Sequence, residues 1–355
     1  MHNSITQYSR VIDAACTRCG KCQIGCSFLQ EYGLPGDIAH QSLLSDSQCP
    51  DPFHCSLCGL CTEVCPEKLT PEALFLSMRR ERVQTGIVDL KPYRPILTYE
   101  SLGESSLLST IKMPEGGDTV FFPGCTLSGT RPHVVRRLFR SLQQVDSKIG
   151  VALGCCLKPS HDLGRQDRFE TGYARLLERL LDSGVSRVLT ACPNCYKIFS
   201  TYGEGVDVVS VYEVLADTDV EPSAMSGDVI VHDPCPIRHA TPFQDAVRTL
   251  TQKAGLTLKP IKKERELTQC CGEGGMVGFV RPEFARAWTA KRVEATKGTP
   301  VVTACAGCTG FLGQHMDVTH ILDVLFNPEG KSAHRPPMTY WQRWRLKRWF
   351  NRNVG

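Results

Sequence analysis

Cysteine is the residue that most constrains the chemistry of this 355-residue chain, which contains nineteen of them. Eighteen fall into two four-cysteine runs and two five-cysteine sets, and Cys49 alone lies outside them. Closely spaced thiolates can converge on a metal centre, and a chain of this length can bury its cores without disulfides. The polar residues 1–10 lack the apolar region of a secretory signal peptide. We therefore expect a reducing cytoplasm, in which these cysteines hold metal rather than each other.

Two four-cysteine runs near the N-terminus repeat the spacing Cys-x-x-Cys-x-x-Cys-x-x-x-Cys. The first run is Cys16, Cys19, Cys22 and Cys26, and the second is Cys55, Cys58, Cys61 and Cys65. Bacterial ferredoxins have this spacing, and in them three close thiolates hold one [4Fe-4S] cluster while the fourth crosses to the other. One cubane cluster is therefore predicted on Cys16, Cys19, Cys22 and Cys65, and the other on Cys55, Cys58, Cys61 and Cys26. A pair of structural zinc sites is the alternative, which two complete runs make less favourable.

Two five-cysteine sets follow in the C-terminal two thirds of the chain. The first is Cys125, Cys155, Cys156, Cys192 and Cys195, and the second is Cys235, Cys270, Cys271, Cys305 and Cys308. Corresponding cysteines are 110, 115, 115, 113 and 113 residues apart. The sequence Val-Leu-Thr-Ala-Cys at 188–192 returns as Val-Val-Thr-Ala-Cys at 301–305. These matches indicate an internal duplication.

The elements around these cysteines alternate between short apolar strands and amphipathic helices. Helices are predicted over 131–145, 165–183, 242–254 and 282–298, and strands end at or just before the cysteines of each set. Such alternation predicts parallel α/β units with the cysteines at the carboxyl edge of each sheet. Gly272, Gly274 and Gly275 would let the backbone approach a cluster closely. A phosphate-binding loop is disfavoured, because no Gly-x-Gly-x-x-Gly opens a helix after the first strand.

We therefore predict an α+β multidomain protein with four regions. A helical ferredoxin module spans residues 1–112 and includes a helix over 71–83. A proline- and glycine-containing linker is expected over 84–117. The first cysteine-rich α/β repeat spans 118–222, the second spans 226–327, and a basic tail spans 330–355.

The pattern Cys, Cys-Cys-Gly, Cys-x-x-Cys, present twice after the ferredoxin runs, resembles the cysteine-rich (CCG) domains of heterodisulfide reductase catalytic subunits. It is also similar to the iron–sulfur subunits of glycolate, lactate and glycerol-3-phosphate oxidoreductases, and the resemblance covers residues of about 10 to 327. It implies two Rossmann-like domains, each with a noncubane [4Fe-4S] cluster on its five cysteines, and cleavage of a disulfide between them. All ten cysteines are present, but Leu157 stands where the family has glycine.

Several polar residues accompany the five-cysteine sets. His161 and Asp162 follow the first pair, and His232, Asp233, Arg238 and His239 surround Cys235. They could supply protons or hold an anionic substrate. The alternative is hydrogen bonding that tunes the cluster potential. If one set performs the substrate chemistry, we expect the second, with these catalytic residues: Cys235, Cys270, Cys271, Cys305, Cys308, His232 and Arg238.

The tail has a composition of its own. Seven of the 41 basic residues and none of the 37 acidic residues lie in 330–355, together with Trp341, Trp344 and Trp349. Tryptophan and arginine together suit a membrane surface or a membrane-bound partner. A soluble partner subunit and a disordered end are the alternatives, whereas nucleic acid is disfavoured because the basic residues are confined to this segment. No apolar run is long enough to span a bilayer.

The leading hypothesis is an iron–sulfur oxidoreductase subunit that works within a complex. Electrons from a flavoprotein or another redox partner would pass through two cubane clusters to two noncubane clusters and reduce a disulfide or a similar acceptor. The second hypothesis is an electron relay between a flavin dehydrogenase and a membrane quinone pool, at the cytoplasmic face of the membrane. The third is a zinc-stabilised scaffold without redox chemistry.

Overall fold

The computed structural model describes residues 4–44, 49–218, 225–327 and 333–354. The N-terminal module is helical, as predicted, and the cysteines of its two runs lie in loops and short turns between the helices, except Cys61, which lies in a one-turn helix. The helices are α1 (Ile5–Ala15), α2 (Ser27–Tyr32), α3 (Pro35–Leu44), α4 (Leu60–Glu63) and α5 (Pro71–Gln84). Helix α1 packs on α3 and α5 through a core that includes Ile12, Ile38 and Leu74. The helix predicted over 71–83 corresponds to α5.

The segment predicted as a linker is instead ordered structure. It contains α6 (Arg94–Glu104) and the strand β1 (Thr110–Lys112), which pairs antiparallel with β3 (Gly150–Leu153). Pro95 lies in the first turn of α6, where the N–H group that proline lacks would have no helical partner. The prolines of this segment suggest breaks when only the sequence is considered, whereas Pro95 helps to begin a helix.

The first repeat is a five-stranded sheet with the order β1-β3-β2-β4-β5. Its other strands are β2 (Thr119–Phe122), β4 (Arg187–Thr190) and β5 (Asp207–Ser210), and all pairs except β1 with β3 are parallel. Its helices are α7 (Cys125–Thr130), α8 (Pro132–Val145), α9 (Lys158–Asp162), α10 (Gln166–Asp182), α11 (Pro193–Tyr202) and α12 (Val211–Ala216). All four residues of β2 are buried, as expected for a central parallel strand covered on both faces.

The second repeat has the same strand order without the antiparallel edge, β7-β6-β8-β9. These strands are β6 (Gly227–His232), β7 (Leu256–Leu258), β8 (Val301–Thr303) and β9 (Val318–His320), and all pairs are parallel. Its helices are α13 (Thr241–Lys253), α14 (Pro282–Thr296), α15 (Ala306–Leu312) and α16 (Ile321–Phe326). The shared order confirms two duplicated parallel α/β units. One continuous apolar core, which includes Val135 and Val247, joins the two repeats.

The basic tail is mostly one helix, α17 (Met338–Asn353), that packs on the first repeat. Leu346 and Phe350 of α17 are fully buried in the core shared by the two repeats. The alternative of a disordered end is therefore wrong for residues 338–353, because Leu346 and Phe350 form an apolar face that packs on the core. Residues 330–332 and 355 of the predicted tail lie outside the described residues. Within the described ranges, no helix combines the length and the apolar character needed to cross a membrane.

Candidate iron–sulfur sites

The first four-cysteine site lies at the surface of the ferredoxin module. Cys16, Cys19, Cys22 and Cys65 line one small cavity, which Cys61 also borders, and Cys19 is exposed. Gly20 is left-handed, with φ of 74°, which turns the chain between Cys19 and Cys22. A methyl group on Gly36 would lie 2.9 Å from the Cys16 Cβ atom. The first turn of α3, which contains Gly36, therefore approaches the site closely. Four of these five cysteines are those that the crossover rule assigns to one cluster, and the assignment of ligands stays a prediction.

The second four-cysteine site is more enclosed. Cys26, Cys55, Cys58 and Cys61 line a cavity of about 260 Å³, which Cys22 and the apolar side chains of Phe75 and Trp288 also border. Burial raises the pKa of Cys58 to about 12, and it raises the pKa of Cys55 further. These thiols are thus protonated without metal, so binding a cluster must release their protons.

The first five-cysteine site is assembled by the carboxyl ends of β2, β3 and β4. Cys125 begins α7, Cys155 and Cys156 follow β3, Cys192 precedes α11 and Cys195 lies in its first turn. The Sγ atoms of Cys156 and Cys195 are 3.4 Å apart. A hydrogen bond from Cys155 lowers the pKa of Cys125 to about 6, against the effect of burial and with help from the charge of Arg343.

Gly124 precedes Cys125 with φ of 78°, and a methyl group on it would lie 3.0 Å from the Cys192 Cβ atom. Only glycine suits this left-handed position so close to two of the thiols. Leu157, at the place of the family's glycine, is also left-handed, with φ of 59°.

The second five-cysteine site repeats this arrangement on β6, the loop after β7, and β8. The Sγ atoms of Cys271 and Cys308 are 3.0 Å apart. A hydrogen bond from Cys270 lowers the pKa of Cys271 to about 7. Gly272 has φ of 108°, and a methyl group on it would lie 2.6 Å from the Thr289 Oγ1 atom. The glycine that the family pattern requires is therefore needed here for both conformation and space.

His232 points into the second five-cysteine site. It ends β6, is 1% exposed, and neither ring nitrogen has a hydrogen-bond partner among the described residues. One ring nitrogen and the Sγ atoms of Cys271 and Cys308 lie within 4.8 Å of one another. Burial, with the charge of Arg292, lowers the pKa of His232 to about 3, so the imidazole is neutral at pH 7. The corresponding residue of the first repeat is Phe122.

The other polar residues predicted near the sites have partners elsewhere. Arg238 donates to the carbonyl oxygens of Cys58 at 2.9 Å and Thr268 at 3.0 Å, and to that of Glu266. This geometry favours a bridging role between the ferredoxin module and the second repeat, and the catalytic role of Arg238 stays a prediction. Asp233 accepts two hydrogen bonds from Arg248, at 2.8 and 2.9 Å.

Two further histidines of the predicted set are also engaged. His161 contacts Asp162 at 2.8 Å and the Tyr202 hydroxyl at 3.0 Å. His239 is exposed and lies 3.2 Å from Glu63. Neither is directed at a cysteine set by these contacts. Cys49 lies at the edge of the ferredoxin core, outside both cavities.

Sequence reasoning did not single out three residues that matter here. Arg79 is fully buried and donates to the carbonyl oxygens of Pro52, Cys55, Asp162 and Gly275, so it ties the ferredoxin module to both repeats. Arg343 of α17 lies beside the first five-cysteine site. Glu273 contacts Gly307 in the second site, and burial, with the charges of Cys192 and Cys125 in the first, raises its pKa to about 7. The place of Glu273 directly after Cys-Cys-Gly was a usable signal, whereas neither arginine stands near a motif.

The residues present fit iron–sulfur clusters. Each of the four sites has a donor set of thiols, and glycine backbones line the five-cysteine sites where a side chain would intrude. Thiolates are the usual ligands of [4Fe-4S] clusters. The apolar side chains that line the buried sites would limit the access of water to the clusters.

Comparison with known proteins agrees with iron–sulfur sites. A model of the family described as cysteine-rich domain matches residues 119–200 and 229–313, and one described as 4Fe-4S dicluster domain matches 13–69. A subunit of the fumarate reductase (CoM/CoB) of Methanothermobacter marburgensis is 28% identical over 293 residues, covering 77% of this chain and 59% of the relative. A subunit of the dihydromethanophenazine:CoB–CoM heterodisulfide reductase of Methanosarcina mazei is 24% identical over 354 residues, covering 83% of this chain and 87% of the relative. EtfAB:quinone oxidoreductase of Syntrophomonas wolfei is 25% identical over 259 residues, covering 63% of this chain and 36% of the relative.

Fold, cysteine sets and matches together define an iron–sulfur protein made of a dicluster ferredoxin domain and two cysteine-rich domains. Within that class, the chain is a heterodisulfide reductase-like iron–sulfur protein. It spans about three fifths of the length of the fumarate reductase subunit, so the activities of whole relatives do not transfer to it directly.

Proposed function

We propose that this chain is the iron–sulfur subunit of an oxidoreductase that reduces a disulfide, or a similar two-electron acceptor, with electrons that reach its five-cysteine sets. Reduction of a disulfide consumes two electrons and two protons and gives two thiols. A reduced flavoprotein or another redox partner would supply the electrons. The four cysteine sets would hold two cubane and two noncubane [4Fe-4S] clusters, which store and pass single electrons when bound.

The observation that carries this proposal is the contact between the second four-cysteine site and the second five-cysteine site. Arg238 donates to the Cys58 carbonyl oxygen at 2.9 Å. A methyl group on Gly274 would lie 2.6 Å from the Ser56 carbonyl oxygen and 3.3 Å from the Cys270 Sγ atom. The two loops therefore touch, and electron transfer between the two sites would cross little protein. This contact supports a path in which electrons enter near the exposed Cys19 and leave the ferredoxin module for the second five-cysteine site.

We propose that the second five-cysteine site, Cys235, Cys270, Cys271, Cys305 and Cys308, performs the substrate chemistry. The neutral imidazole of His232 lies beside Cys271 and Cys308, and its ring nitrogens have no hydrogen-bond partner in the part of the chain that the structure describes. It would direct an N–H group at a sulfur atom and stabilise negative charge there, as hydrogen bonds to cluster sulfurs do. Phe122 offers no such group in the first site.

Anaerobic spectroscopy of the full chain tests this function. Four clusters require about sixteen iron atoms per chain, whereas the zinc scaffold would give zinc and little iron. The oxidised protein would be examined by low-temperature EPR with cysteamine, 2-mercaptoethanol or mercaptoacetate, which differ in charge. We expect bound thiol to perturb an EPR signal of the wild-type protein. This perturbation should be weaker in His232→Phe and unchanged in the control His315→Phe, because His315 is exposed. A wild-type protein with full iron content and no thiol-dependent signal would refute disulfide chemistry.

An electron relay to a quinone is the second candidate function. The specific observation in its favour is the similarity to a protein whose name includes quinone oxidoreductase. The tail does not support it, because α17 packs on its own chain. This candidate predicts rapid reduction of a water-soluble quinone by the photoreduced protein and no effect of thiols on the EPR spectrum. Reduction of a small disulfide without quinone reduction would exclude it.

A further inference from the structure

We propose that the C-terminal helix completes the first five-cysteine site, because it places the guanidinium of Arg343 beside that site as a fixed positive charge that raises its reduction potential. The inference rests on the proposed function in one respect, namely that the first five-cysteine set holds a redox-active cluster. It assigns to the basic tail a role within its own chain, distinct from binding a membrane or a partner.

The guanidinium is held tightly against the wall of the site. Arg343 is 2% exposed, and its Cζ atom lies 4.8 Å from the centroid of the Tyr99 ring. A methyl group on Gly103 would lie 2.6 Å from the Arg343 Nη2 atom and 3.3 Å from the Cys155 Cβ atom. Arg343 and Cys155 therefore pack against the same glycine. The Tyr99 hydroxyl donates to the Cys125 carbonyl oxygen at 3.0 Å and connects the stacked pair to a second cysteine of the set.

The charge of Arg343 is not cancelled locally by an ion pair. Across residues 4–44, 49–218, 225–327 and 333–354, no carboxylate forms an ion pair with this guanidinium, and its long hydrogen bond to the Tyr99 carbonyl oxygen measures 3.5 Å. The buried Glu100 carboxylate acts in the opposite sense near Cys155, but it accepts hydrogen bonds from Ser160 and lies 3.9 Å from Arg165. A buried, permanently charged arginine favours the more negative, reduced form of a neighbouring cluster.

The two repeats obtain their buried arginine in different ways. In the second repeat, Arg238 stands three residues after Cys235 and is part of the repeat itself. Three residues after Cys125 the first repeat has Ser128, whose hydroxyl donates to the Gly124 carbonyl oxygen at 2.8 Å. The first repeat thus has no arginine at this position, and helix α17 supplies Arg343 to the first site. The buried Arg131 of the first repeat is instead paired with Asp323, with its Nε atom 2.6 Å from Oδ2. The buried Leu346 and Phe350 keep the helix in place.

Anaerobic potentiometric titration of the full chain, followed by EPR, tests the proposal. The signal of the first set is the one lost in Cys155→Ser. We expect Arg343→Gln to change the equilibrium between the reduced and oxidised forms about tenfold, a fall of 59 mV in the midpoint of that signal, while the other midpoints and the iron content are unchanged. Arg343→Lys should largely keep the midpoint. The matched control is Arg345→Gln, because exposed Arg345 stacks on Trp341 with its Cζ 4.5 Å from the ring centroid and should leave every midpoint unchanged.

A second variant decides the case in which Arg343→Gln loses iron or fails to fold. Gly103→Ala keeps the arginine and displaces its Nη2 atom from Cys155, so it should also lower the midpoint of the first set. The proposal would be overturned by an unchanged midpoint in Gly103→Ala, or by an unchanged midpoint in Arg343→Gln with full iron content. It would also be overturned if Cys155→Ser lost neither an EPR signal nor iron. If the wild-type protein shows no thiol-dependent signal, only the proposed disulfide reduction is refuted. A midpoint shift in Arg343→Gln would still support the role of Arg343.

Discussion

Leu157 and Gly172 share one space in the first repeat, since a methyl group on Gly172 would lie 2.5 Å from the Leu157 Cδ2 atom. The second repeat has the reverse arrangement, in which Gly272 faces the larger Thr289. A methyl group on Gly272 would lie 2.6 Å from the Thr289 Oγ1 atom. In each repeat a glycine on one partner makes room for a side chain on the other. This exchange explains how the first repeat tolerates a leucine at the family's glycine position.

Gly172→Ala should lower stability although it improves the helix propensity of α10. The gain from replacing a helical glycine is about 0.5–1 kcal/mol, whereas overpacking a core costs about 1–3 kcal/mol. We expect a lower apparent melting temperature of the anaerobic protein. The control is Gly310→Ala in α15, where nothing lies within 4 Å of the added methyl group, so melting there should be unchanged or slightly higher. Equal melting of the two variants would contradict the packing argument.

Arg79→Met should loosen the attachment of the ferredoxin module to both repeats. Four carbonyl oxygens would lose their donor, and each buried acceptor without a partner costs about 1–3 kcal/mol. Hydrogen exchange should rise in α5 and in the loops around Cys55 and Gly275. Arg94→Met, at an exposed site, should leave exchange unchanged. Protection that is retained around Cys55 would show that other contacts hold the module.

His320 should make the folded state sensitive to mild acid. Its pKa lies well below the usual value because it is buried near Arg131, and its Nδ1 atom accepts from the Leu322 N–H at 3.1 Å. Below pH of about 6.5 the unfolded chain binds a proton at this residue that the folded chain does not. Stability is therefore complete above that pH and falls as the pH is lowered.

His320→Asn can accept the same hydrogen bond but does not titrate. We expect the loss of unfolding free energy between pH 7 and 5 to become shallower, by up to about 1.4 kcal/mol per pH unit. Urea denaturation at several pH values measures this slope. An identical slope in the variant would mean that other groups cause the acid sensitivity.

Leu346→Ala should destabilise the protein by about 2–5 kcal/mol, the usual cost of truncating a buried leucine. The same helix offers a control in Trp341→Ala, because Trp341 is 49% exposed and contributes little to the core. Urea denaturation should separate the two variants clearly. The opposite result would be an unchanged stability in Leu346→Ala together with weaker binding of a partner or of lipid in Trp341→Ala. It would mean that α17 acts through its exposed face rather than through the core.

The cysteine sites were predictable because cluster ligands are held in short local patterns. Cys270 and Cys271, or Cys305 and Cys308, mark their site within four residues, and the repeat of the pattern predicts the duplication. Arg343 and Arg79 could not be found in this way, since each reaches its partners across long stretches of chain without a motif. Strand β1 has only three residues, too few for a period to emerge. Pro95 misled because proline is common both in loops and in first helical turns.

Two segments that are far apart in the sequence, β1 and α17, meet at the first repeat. Strand β1 is an edge strand of that repeat's sheet, α17 follows the second repeat in the sequence, and the Thr110 hydroxyl donates to the Asn351 Oδ1 atom at 3.1 Å. During synthesis, domains fold broadly in the order in which they leave the ribosome, and α17 leaves it after both repeats because it follows them in the sequence. The second repeat can therefore close before the first is finished. A truncated translation product would present an open first site, and cellular quality control would meet it as unfinished protein.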